Sequence, residues 1–112
     1  MKIDIDFVKG LVQSATGNGF AIDSKTRVTA TTALDATTFL TIVDNAFTIG
    51  NDLTLPATAT TGAIKLIVSD TGNHCDVLGT NCTTGDIRLT AVGDWVLAVF
   101  DGSSWVVLRS LG

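Results

Sequence analysis

Apolar and polar residues alternate with a period of two along most of the chain, the spacing of strands rather than helices. Residues 2–8 set Ile3, Ile5 and Phe7 on one face and Lys2, Asp4 and Asp6 on the other, a half-buried strand. Gly10 interrupts it, Leu11-Val12 forms a short segment, and Thr16-Gly17-Asn18-Gly19 is a turn. Phe20-Ala21-Ile22 resumes the pattern before the turn Asp23-Ser24-Lys25, and residues 26–32 place Val28 and Ala30 inward. Ala33-Leu34-Asp35-Ala36 has room for one helical turn and no more. Residues 38–43 read as a strand that is apolar on both faces. The turns Asp44-Asn45 and Gly50-Asn51 lead into Phe47-Thr48-Ile49 and Asp52-Leu53-Thr54-Leu55, and Pro56 stops the second because it has no N–H for a ladder.

After a Thr/Ala linker, residues 63–69 predict a central strand with Ile64, Leu66 and Val68 on one face. The stretch from Asp70 to Gly85 reads as a long irregular loop. Strands follow at 86–91, 94–100 and 104–109, with Asp101-Gly102-Ser103 as the hairpin turn between the last two. Many short strands separated by turn residues predict a single all-β domain, a compact β-sandwich or small barrel. No internal repeat stands out. The final hairpin is apolar on both faces, with Trp95, Leu97 and Val99 alternating with Val96, Ala98 and Phe100, then Trp105, Val106, Val107 and Leu108. Such a hairpin is either the centre of the domain's own sandwich or covered on one side by another subunit.

Composition strengthens the strand reading. Of 112 residues, eighteen are Thr and eleven are Asp, while Glu and Tyr are absent, which excludes a helical bundle. The formal charge is −4, and the seven basic residues are scattered singly, so no footprint for nucleic acid or an anionic membrane is visible. Asp4 and Asp6 break the apolar run that a signal peptide needs, and no stretch has the length of a membrane span, so synthesis in the cytoplasm is expected.

Candidate chemistry is sparse. One His (His74), no Glu and no Gly-x-Ser-x-Gly elbow leave nothing to build a catalytic centre from, and no enzyme is expected. Cys75 and Cys82 either close a surface loop as a disulfide or remain free thiols. With His74 they supply three zinc ligands at an unusual spacing and no fourth. Asp70, Asn73, Asp76 and Asn81 share the same loop and offer oxygen ligands to calcium, but the spacing is not that of an EF-hand, and turn formation explains the same residues. No cofactor and no metal is expected. Trp95 and Trp105 read as core or subunit-contact residues rather than as a sugar-stacking platform. Residues 1–9 read as an internal edge strand or as an arm that reaches a neighbouring subunit.

From Asp52 onward the chain resembles β-rich phage virion proteins, namely small capsid decoration (cement) proteins and the β modules of trimeric tail fibres and spikes. The residues carrying the resemblance are Leu53-Thr54-Leu55-Pro56-Ala57, Gly62-Ala63-Ile64-Lys65-Leu66-Ile67-Val68, Asp86-Ile87-Arg88-Leu89-Thr90-Ala91 and the ending Phe100-Asp101-Gly102-Ser103-Ser104-Trp105-Val106-Val107-Leu108. It implies a homotrimer that binds a protein lattice on the virion surface and performs no reaction. The absence of a shaft favours a free-standing decoration protein that contacts the major capsid protein; the alternative is a receptor- or glycan-binding tip of a tail fibre. The residues expected at the subunit or capsid contact are Ile3, Ile5, Phe7, Trp95, Leu97, Val99, Trp105 and Val107.

Overall fold

The structure, a computed structural model, describes residues 24–110 together with the backbone of Asp4–Ile5 and Leu11–Val12. It is built from strands, with no helix among the described residues. Strands β1 (Asp4–Ile5) and β2 (Leu11–Val12) pair antiparallel as a sheet of their own. The expected strand at 2–8 is thus represented by β1; Ile3, Phe7 and the side chain of Ile5 lie outside the described residues.

The body consists of two larger sheets. One has the order β11-β10-β7-β5-β3, the other β4-β6-β8-β9. Their strands are β3 (Lys25–Val28), β4 (Thr32–Ala33), β5 (Leu40–Val43), β6 (Asp52–Thr54), β7 (Ile64–Ser69), β8 (Cys75–Val77), β9 (Ile87–Leu89), β10 (Trp95–Phe100) and β11 (Trp105–Arg109). From β3 to β8 the chain alternates between the sheets, and each new strand lies parallel to the previous one in its sheet. Lys25, Leu40 and Leu66 stand abreast in one sheet, and Thr32, Leu53 and Val77 in the other. The result is a flattened solenoid of three coils. β9, β10 and β11 then close it with antiparallel pairings.

The all-β expectation holds at this level: two sheets face each other across one core. The pairing differs from a hairpin sandwich, because the coils are joined by parallel ladders. Period-two patterning is identical for both kinds of ladder, so the alternation alone could not distinguish them. Two local expectations also change. The stretch 70–85 is not all loop, since it contains β8, and Phe47-Thr48-Ile49 is not a strand, although Phe47 is fully buried.

The core takes residues from both sheets, among them Val43, Leu53, Ile67, Cys75, Val77, Leu89, Val96 and Trp105. Trp105 is 0% exposed, stacks edge-on against Phe100 with ring centroids 5.2 Å apart, and donates its indole N–H to the Pro56 carbonyl at 2.8 Å. This bond, with those from the Trp105 N–H to Asn81 O and from the Thr83 N–H to Trp105 O, stitches the last strand to the loops beneath it.

Aspartates hold the turns. Asp101 accepts from the Ser103 and Ser104 N–H groups, Asp94 from Thr90 and Ala91, and Asp44 from Ala46. Asp35 accepts from the Thr37 and Thr38 N–H groups at 3.0 and 2.6 Å, which fixes the bend between β4 and β5.

Candidate interaction surface

β7 is the strand whose inward and outward faces are least expected. Lys65, Ile67 and Ser69 point into the core, while Ile64, Leu66 and Val68 point away from it. The ladders carry that outward apolar row sideways. Ile64, Leu66 and Val68 stand opposite Val99, Leu97 and Trp95 of β10, and Leu66 and Val68 stand opposite Leu40 and Ile42 of β5. On the other side of β10, Leu97 and Val99 oppose Leu108 and Val106 of β11. Four adjacent strands therefore present a continuous apolar outer face. Leu108 is 62% exposed and Val99 37%, with Ile64, Trp95 and Val106 in between. A sheet face in contact with water would alternate apolar-in and polar-out, and this one does not.

Charge appears only at the fifth strand. There Lys25 and Arg27 stand abreast of Leu40 and Ile42. Arg27 donates to Asp44 at 2.7 Å and lies 3.5 Å from Asp70, so the border of the face carries an ion-paired cluster. The Asp44 carboxyl is held below its ordinary range, chiefly by the Ala46 N–H and then by Arg27.

The outer face of the other sheet is polar. Asp52, Asp76 and Arg88 stand abreast across β6, β8 and β9. Arg88 donates to both carboxylate oxygens of Asp76, at 2.7 and 2.9 Å, and this pairing lowers the Asp76 pKa. The molecule thus has one apolar and one hydrophilic broad side.

The expected contact residues divide accordingly. Trp95, Leu97 and Val99 lie on the apolar outer face. Trp105 and Val107 do not: Trp105 is sealed in the core and Val107 packs against it. The reason is parity. Phe100 pairs with Trp105 across the Asp101–Ser104 turn, so odd positions of β10 share a face with even positions of β11. Val106 and Leu108, not Trp105 and Val107, complete the surface. Sequence reasoning also missed the share of Leu40, Ile42 and the β7 row. Their signal was visible in the doubly apolar strands at 38–43 and 63–69.

The other candidates are engaged elsewhere. Cys75 and Cys82 are both free thiols, the second of the two states the sequence left open. Cys75 is a core residue of β8, and burial pushes its thiol up to about 12. Asn73 and Asn81 donate their side-chain amides to the Phe47 and Leu55 carbonyls, Asp70 faces Arg27, and Asp76 binds Arg88. Among the described residues no three His, Cys, Asp or Glu side chains gather as a metal site. Compared with known proteins, the chain matches no family model and no curated relative.

Proposed function

We propose that the protein works by adhesion, as a non-enzymatic capsid decoration (cement) protein of a phage head. One observation carries the adhesive part: an apolar face four strands wide on one side of the molecule, set against a charged and hydrogen-bonded opposite side. Exposed apolar patches of this kind mark interaction sites, and another protein is one of the surfaces that can cover them. The capsid as the surface to be stabilised comes from the resemblance of the chain from Asp52 onward to β-rich virion proteins. The mechanism is linkage. A protein that binds the assembled lattice and not its separated subunits stabilises the lattice in proportion to its occupancy and affinity.

The test is particle fractionation followed by copy counting. A decoration protein travels with heads in many copies per particle, and heads lacking it rupture at lower temperature. Recovery in a few copies on tails, or in no particle fraction, overturns the reading.

A further inference from the structure

We infer that the free edge of β11 pairs with the same edge of a second copy of this chain, antiparallel about a twofold axis at Leu108, so that two five-stranded sheets join into one. The contact lies at the rim of the sheet and goes beyond the adhesive reading, which rests on the broad apolar face.

The directions of the backbone groups carry the argument. In an antiparallel ladder, alternate residues turn both N–H and C=O toward one neighbour, and the residues between them turn theirs the other way. The Ser110 N–H donates to the Trp95 carbonyl and the Asp101 N–H to the Ser104 carbonyl, so Ser104, Val106, Leu108 and Ser110 are the residues that face β10. Trp105, Val107 and Arg109 therefore turn their backbone groups outward, over the edge of the sheet. Trp105 has partners there: its N–H donates to the Asn81 carbonyl at 2.8 Å, and its carbonyl accepts from the Thr83 N–H at 2.9 Å. Beyond it, β11 is the last strand of its sheet, and among the described residues no backbone hydrogen bond reaches Val107 or Arg109 from that side. Two donors and two acceptors are left facing out, with Leu108 between them.

A second β11 matches this edge. Laid antiparallel with Leu108 opposite the second copy's Leu108, it sets Val107 against Arg109 in both directions, and the open groups of both copies are all used in hydrogen bonds. A slide toward Trp105 loses half of these bonds, because the edge beside Trp105 is already filled by residues 81–83. At the axis the two Leu108 residues form a non-hydrogen-bonded pair, the geometry that brings side chains closest, and Leu108 is 62% exposed in the single chain. The other edges of the two larger sheets are obstructed: β3 bears Lys25 and Arg27, while β4 and β9 are two and three residues long. β11 has five residues, no Pro, and exposed Val106 and Leu108; its one charge, Arg109, donates to the Arg88 carbonyl of the sheet beneath. A contact of this kind uses the same edge on both copies, so it closes at two.

Sedimentation equilibrium of the full chain at micromolar concentration is the test, and the expected species has twice the 11.6 kDa chain mass. R109P removes an outward N–H that the single chain leaves unused, at an exposed position, and returns the protein to monomer. L108K sets two ammonium groups against each other at the axis and gives the same loss, should the far-ultraviolet spectrum show that R109P fails to fold. V99K, on the broad face one strand in from the edge, leaves the dimer intact. In a Cys82→Ser background, L108C forms an intermolecular disulfide on mild oxidation, because the paired Cα atoms stand ~4.5 Å apart. V106C does not, since the two copies of that residue lie four residues, ~13 Å, apart along the strands. A monomer or a trimer for the unmodified protein overturns the inference. So does a dimer that V99K abolishes, a dimer that survives both R109P and L108K, or cross-linking through V106C as readily as through L108C.

Discussion

Lys65 is an expensive residue in an unusual place, and replacing it tests how the core is held. It sits on the inward face of β7, its side chain is 1% exposed, and its ammonium donates to the Asp35 carbonyl at 2.7 Å and to the Thr38 carbonyl. The Asp35 carboxylate lies 4.0 Å away. Burial lowers the Lys65 pKa and Asp35 partly restores it. In Lys65→Met the stem volume is kept, but two turn carbonyls lose their donor, a loss of about 1–3 kcal/mol each. Relief of the ammonium's desolvation offsets part of this, leaving a net destabilisation of about 1–3 kcal/mol. Lys65→Ala also removes three methylenes, at ~0.8 kcal/mol each, and leaves a cavity, for a total of about 4–6 kcal/mol. Urea denaturation at neutral pH and one fixed protein concentration gives both values. The unfolded chain holds the Lys65 proton more tightly than the native one, so native stability rises with pH between the lowered pKa and the ordinary lysine value. That rise is absent from both variants. A Lys65→Met protein as stable as the unmodified one would refute the reasoning, because the carbonyl bonds would then be worth less than the buried charge costs.

Three further outcomes are expected. The Asp35 carboxyl is lowered to about 2, chiefly by hydrogen bonds from Thr38, so it stabilises the native state above the ordinary carboxylate range and the gain is lost as pH falls through about 2. Asp35→Asn should lose about 1 kcal/mol at neutral pH, after allowance for solvent screening, with the difference shrinking in acid denaturation curves between about pH 4 and 2. Gly102 has φ +105°, and an added Cβ would lie 3.1 Å from Thr61 Oγ1, whereas Gly50, at φ +97°, has open space around it. Thermal melts should therefore show Gly102→Ala losing about 1–2 kcal/mol and Gly50→Ala less. Cys75, with its thiol at about 12 in the core, should resist maleimide labelling in the native protein and react once the chain is unfolded, as followed by mass spectrometry.

Much of this architecture was legible in the pattern. The turns at Asp44 and Asp101 follow from the side chain's ability to accept backbone N–H bonds, and the doubly apolar final hairpin signalled an apolar outer face. Parallel winding was not legible, since the coils differ in length: Leu40 stands abreast of both Lys25 and Leu66, at unequal sequence separations. Without a constant period there is no repeat to detect. The orientation of β7 was hidden for a different reason. Hydrophobicity alone turns Ile64, Leu66 and Val68 inward, whereas the inward row is Lys65, Ile67 and Ser69, with Lys65 bonded to the bend at 35–38. Which residues share the outer apolar face was partly legible, and on β11 it turns on a single-residue question of turn parity, which puts Val106 and Leu108 outward and Trp105 inward.

A stack of parallel strands has no intrinsic length. Its terminal strand offers the same row of N–H and C=O groups as every strand inside it, so nothing in the backbone tells such an object to stop growing. Among the described residues that terminal strand in the larger sheet is β3. Lys25 and Arg27 alternate along it with the half-buried Thr26. A copy docked with its own β3 against this one would bring a second Lys25 and Arg27 beside these two, with Arg27 already paired to Asp44 and Asp70. Charged side chains along an edge strand are among the devices that keep it from templating another chain, so this edge carries its own obstacle to strand-by-strand growth.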